Sequence, residues 1–155
     1  MNEYFGLTFN DHVILYAIDI EYHLWGVDEE ILSFFRARKT PVIHTNLLLN
    51  DILCDSYGLL VFQEQLMEIA QRIGGLSLED SDDLRRYMAK KHLDGMTKYK
   101  PTFVQNAINN GYTEQQANEL FKWLGDRASA LFKRRFAENA VKQWLKTEYE
   151  RQFLP

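Results

Sequence analysis

The chain has 155 residues, 46% of them hydrophobic and 14% aromatic, which excludes disorder and predicts a single domain over residues 1–155 with a real core. Its one cysteine, Cys54, excludes internal disulfides and cysteine-rich zinc sites and fits a reducing cytoplasm, and neither an apolar run of about 18 residues nor a basic-apolar leader is found. A formal net charge of -4 and a pI near 5.6 exclude a surface basic all over, so any nucleic-acid contact must come from a local patch.

In chain order, Thr8 or Asn10 can cap the first element, and Val13, Ile14, Ala17 and Ile18 fit one face of a helix. Val13 to Tyr22 also alternates enough to be a strand. The ambiguity bears on function, because Asp19-Ile20-Glu21 after an apolar run resembles the opening D-x-E of DEDD-type exonucleases. There the two carboxylates would hold divalent metals for phosphodiester hydrolysis. No later aspartates complete that set, and the competing reading is a solvent-facing Asp and Glu on a helix.

Asp28 is a good N-cap for a helix carrying Ile31, Leu32, Phe34 and Phe35, which Pro41 should end near Lys39. His44, Leu47, Leu48, Ile52 and Leu53 follow. His44 reads as structural, and His12, His23 and His92 show no ligand spacing with it, so no metal and no cofactor is expected. Cys54, alone, is expected in the core without a catalytic role.

Leu59, Phe62, Leu66, Ile69 and Ile73 recur at helical spacing and predict one apolar stripe, which Gly74-Gly75 ends. Ser77 or Ser81 can cap the next helix, with Glu79, Asp80, Asp82 and Asp83 near its start and Arg85, Arg86, Lys90 and Lys91 after them. Phe103-Val104 and Ala107 predict a short helix closed by Asn110-Gly111, and Thr113 with Gln116 forms a capping box for the next. Ala117, Leu120, Phe121 and Leu124 give that helix its core face before Gly125 breaks it. From Asp126, the spacing of Ala128, Leu131-Phe132, Ala140-Val141, Trp144-Leu145 and Tyr149 predicts a long terminal helix. The sum is an all-α fold of about six to eight helices.

The order of residues is more specific than their periodicity. Tyr57-Gly58, Val61-Phe62-Gln63-Glu64-Gln65, Met67 and Ile69-Ala70, then Gly75, Leu78, Asp82, Leu84-Arg85-Arg86, Met88 and Lys90-Lys91, stand in one ungapped run. This run resembles the fingers region of bacterial DNA polymerase III alpha subunits, the C-family replicative polymerases, which reads Y-G-x-x-V-Y-Q-E-Q-x-M-x-I-A and then Y-S-L-G-x-A-D-x-L-R-R-A-M-x-K-K. Phe103-Val104, Ala107, Asn110-Gly111, Ala117 and Phe121 keep the spacing of the following family segment. The resemblance runs from Phe9 to Leu154, strongly from Leu48 to Leu124 and weakly before Ala37.

The resemblance implies a helical domain that helps hold the incoming nucleotide and the template-primer through basic side chains on phosphates. Arg85, Arg86, Lys90 and Lys91 are the candidates by position, joined by Lys133 and Arg134; Tyr57, Gly58, Gln63, Glu64, Gln65 and Asp82 carry the family motif. The competing reading of the four basic residues is a solvated helix end that offsets the dipole. Two departures stand out. The family's F-N-K-S-H-A loop is here Phe132-Lys133-Arg134-Arg135-Phe136-Ala137, and its G-G-A before the motif Asp is Glu79-Asp80-Ser81, which places two carboxylates where phosphate would approach.

Polymerisation also needs paired palm carboxylates, which lie upstream in the family, so no catalytic residue and no activity is expected of this chain alone. Primer-template DNA or replisome proteins are the expected partners, with no membrane. The alternative to DNA contact is a replisome protein-interaction module derived from the polymerase.

Overall fold

The computed structural model describes residues 6–19 and 29–153, with side chains up to Thr147. Among the described residues there are eight α-helices and no strand. They are α1 (Phe9–Ile18), α2 (Glu29–Lys39), α3 (Leu47–Leu53), α4 (Gln63–Arg72), α5 (Leu78–Ala89), α6 (Leu93–Asn109), α7 (Glu114–Arg127) and α8 (Arg134–Phe153). The all-α expectation therefore holds, and Val13–Ile18 is helical rather than extended. Ile20, Glu21, Tyr22, His23 and Asp28, on which the exonuclease reading and one predicted cap depend, lie outside the described residues, as does Leu154.

Helix starts follow local chemistry. Thr8 Oγ1 accepts from Asp11 N at 3.1 Å while the Asp11 carboxylate accepts from Thr8 N at 3.0 Å, and Thr113 and Gln116 make the same reciprocal pair. Ser77, not Ser81, caps α5, its hydroxyl accepting from Asp80 N at 3.0 Å; Ser81 is buried inside the helix. At the other end of α4, Gly75 takes φ +66 and stops the helix as predicted.

Four boundaries differ from the sequence reading. The stripe predicted from Leu59 begins only at Gln63, because the preceding Leu60–Phe62 run is extended and Phe62 pairs with Phe132 in an isolated parallel bridge. Helix α6 starts at Leu93, capped by His92 Nδ1 accepting from Gly95 N at 3.0 Å, and carries Pro101 in its interior. Gly125 does not break α7, which runs to Arg127 with Gly125 packed close to Met96. The terminal helix starts at Arg134, since Ala128–Ala130 forms a 3-10 turn and Leu131–Lys133 crosses over extended. Cys54 is exposed, contrary to the core position expected of it.

Apolar burial falls into two clusters. The larger joins α3 to α7 around Leu53, Leu66, Ile69, Ile73, Leu84, Met88, Phe103, Phe121 and Leu124. The smaller packs α1, α2 and α8 around Ile14, Leu15, Ile31, Phe34, Val61, Phe62, Ala137 and Val141. The segment from Ser56 to Leu66 feeds both, with Leu60 and Leu66 in one cluster and Val61 and Phe62 in the other.

Candidate nucleic-acid interface

Local backbone geometry explains the Tyr57-Gly58 pair. Tyr57 takes φ +58 and Gly58 φ +83, so two left-handed residues in a row turn the chain out of α3. A Cβ on Gly58 would overlap the backbone of Val42, whose amide donates to the Tyr57 carbonyl at 2.9 Å. His44 Nε2 donates to the Gly58 carbonyl at 2.9 Å and so ties the residue to the same turn. The Tyr57 hydroxyl donates to the fully buried Asp11, which also receives Arg38 Nε at 3.1 Å.

The Gln63-Glu64-Gln65 triplet fastens two crossing segments. Buried Gln65 accepts from Val61 N at 2.9 Å and Phe62 N at 3.0 Å and donates to Ser56 Oγ at 2.6 Å, so one amide holds the whole turn into α4. Gln63 donates from its backbone to Phe132 O at 2.9 Å and from its side chain to Leu131 O at 3.3 Å. Glu64 accepts from Arg134 N at 3.0 Å and thereby caps α8 from another helix. These contacts fix the approach of residues 131–134 to the body of the protein.

That approach sets Lys133 beside α5. Asp82 is held below the ordinary carboxylate range first by its hydrogen bond from Arg85, then by the charges of Arg85, Arg86 and Lys133, against an opposing push from burial. Arg85 and Arg86 thus pair with this carboxylate, and Lys133 of the crossover acts on it through its charge without an ion pair. Arg85 reaches Asp82 with Nη2 at 2.8 Å and Nε at 3.1 Å, and its side chain is 16% exposed. Arg86 is 53% exposed and spans Asp82 at 3.4 Å and Asp83 at 3.2 Å. Lys90 is exposed at the C-cap of α5, and no described residue makes an ion pair with it. Lys133 is exposed, with its ammonium 5.2 Å from the Phe136 ring centroid.

The remaining two candidates are used by the fold. Lys91 takes φ +56 and donates to the Gly125 carbonyl in the last turn of α7, close enough to Asp126 to help lower that carboxyl, whose main cause is Lys122. Arg134 pairs with Asp55 at 2.7 Å and lies 4.3 Å over the Phe62 ring. Of the two carboxylates before Ser81, Glu79 is exposed, and Asp80 receives a long 3.4 Å bond from Tyr99, whose phenol is raised chiefly by its 2.8 Å bond to Asp83. Among the described residues no group of three His, Cys, Asp or Glu side chains could hold a metal ion. None of their helices is long and apolar enough to cross a membrane.

The sequence reading missed the place of Phe136, which stands 59% exposed with the Lys133 ammonium over its ring and exposed Arg135 next to it in the chain. Its signal was the departure of Phe132–Ala137 from the family loop.

Comparison with known proteins agrees with this architecture. The model of the bacterial DNA polymerase III alpha subunit finger domain matches residues 7–111. The DNA polymerase III subunit alpha of Neisseria meningitidis is 36% identical over 130 residues, covering 81% of this chain and 11% of that protein. That of Treponema pallidum is 45% identical over 94 residues, 59% of this chain and 8% of its own length. That of Thermus aquaticus is 43% identical over 81 residues, 52% and 7% respectively. The chain thus spans about a tenth of the length of the curated relatives it matches. It belongs to the family of bacterial DNA polymerase III alpha subunit finger domains.

Proposed function

We propose that this fingers domain contacts the phosphates of primer-template DNA through Arg86, Lys90 and Lys133, with Arg85 held behind them by Asp82, and that it performs no catalysis by itself. The observation that carries the reading is that Arg85 and Arg86 pair with Asp82 on α5 while the charge of Lys133, from a second element, also acts on that carboxylate. The Asp partners do not remove Arg86 from use. Exposed pairs at helical spacing are worth about 0.3–0.5 kcal/mol, so a phosphate bound by a guanidinium fork displaces them at little cost. Lys91 and Arg134 instead act as struts, one closing α7 and the other holding α8 to Asp55.

Fluorescence anisotropy with a primer-template duplex tests this. The natural chain should bind at low salt, with log affinity falling against log salt with a slope of about -2 to -3, as three phosphate contacts would give. Combined Arg85→Ala, Arg86→Ala, Lys90→Ala and Lys133→Ala should abolish binding, while Lys91→Ala should lower stability and leave the salt slope unchanged. The exposed apolar side chains Ile43, Leu47, Leu78 and Leu93 favour one other reading, a replisome protein-interaction module. Failure of the natural chain to bind DNA even at low ionic strength would replace the first reading with the second.

A further inference from the structure

We infer that Phe136 is a stacking platform for an unpaired nucleobase, which makes the basic patch a site for single-stranded DNA; this rests on the phosphate-contact reading above. The ring sits in the first turn of α8, 59% exposed. Its backbone is not free to turn the ring inward, because the next residue, Ala137, is fully buried in the smaller core and the α8 start is tied to Glu64. The Lys133 ammonium lies 5.2 Å from the ring centroid, and its charge also acts on Asp82, the carboxylate that Arg85 and Arg86 pair with. Exposed Arg135 adjoins the ring in sequence. A fixed, outward-facing aromatic among cations matches the chemistry of a strand whose bases stack while its phosphates are neutralised. Duplex bases, already stacked on each other, do not offer a face to it.

The test uses two labelled oligonucleotides of equal length at low salt, oligo-dT and an abasic strand with the same phosphates. The natural chain should bind oligo-dT about tenfold or more tighter than the abasic strand, the range expected for one stacked base. Phe136→Ala should erase that difference while leaving abasic affinity unchanged, and Phe136→Trp should restore it, with quenching of the introduced indole. The side chain is exposed, so folding of these variants is not at issue, and circular dichroism confirms it. Equal binding of both strands by the natural chain, or a preference that survives in the Ala variant, overturns stacking and leaves phosphate contact standing. Binding of neither strand by the natural chain removes both.

Discussion

Asp11 is fully buried yet charged, and its surroundings explain how. Burial pushes its carboxyl up, but hydrogen bonds from Tyr57 and Thr8 and the Arg38 charge outweigh that and leave it below the ordinary carboxylate range. A depressed folded-state value stabilises the fold above the unfolded pKa of about 3.9 and loses that contribution as pH falls through the folded value. Urea midpoints should therefore drop on acidification below about pH 5, and Asp11→Asn should flatten that drop while lowering stability at neutral pH. Asp11→Ala, which strands the Tyr57 hydroxyl and the Arg38 guanidinium, should cost about 2–3 kcal/mol. Gly58→Ala places a Cβ in left-handed backbone and against Val42, and a loss on the order of 2–3 kcal/mol is expected in the same assay. A neutral Gly58→Ala variant would show that the turn does not need glycine.

Helix by helix, the ends divide into those capped locally and those capped from a distance. Thr8, Ser77 and Thr113 cap within three residues; Thr113 was legible in the sequence outright, Thr8 and Ser77 each as one of two candidates. The α8 start was not, because Glu64 reaches it across 70 residues and nothing near Arg134 announces it. Gly125 misled for a related reason: as a helix interior it is chosen for closeness to Met96, a tertiary demand that overrides propensity. The interface was legible to the extent that motif order carried it, and the ion pairs at i and i+3 in α5 follow from spacing alone. What spacing does not show is that Lys133 joins them, since that depends on how residues 131–134 are held by Gln63 and Glu64. Glu64→Ala should cost about 1 kcal/mol, the usual value of a lost cap. It should also speed hydrogen exchange at the first amides of α8, and an unchanged Arg134 amide would remove Glu64 from that role.

Across the whole molecule, the two apolar clusters share the Ser56–Leu66 segment, and this bears on whether 155 residues behave as one domain. Trp123 reports the larger cluster and Trp144, whose ring lies tilted against His12 with centroids 5.2 Å apart, stands beside the smaller one. With Trp25 replaced by Phe, variants keeping only Trp123 or only Trp144 should give coincident urea midpoints. Phe103→Ala should lower both together by about 3–5 kcal/mol. Separate midpoints would divide the chain into two units. The smaller cluster closes α1 against α8, partners more than a hundred positions apart, with Ala137 and Val141 completing the pocket around Ile14 and Leu15. During synthesis on a ribosome, α1 and α2 therefore emerge with their apolar faces uncovered until α8 has been made, whereas α3 to α7 can assemble beforehand. A nascent chain halted before α8 would expose those faces and be the form that chaperones meet.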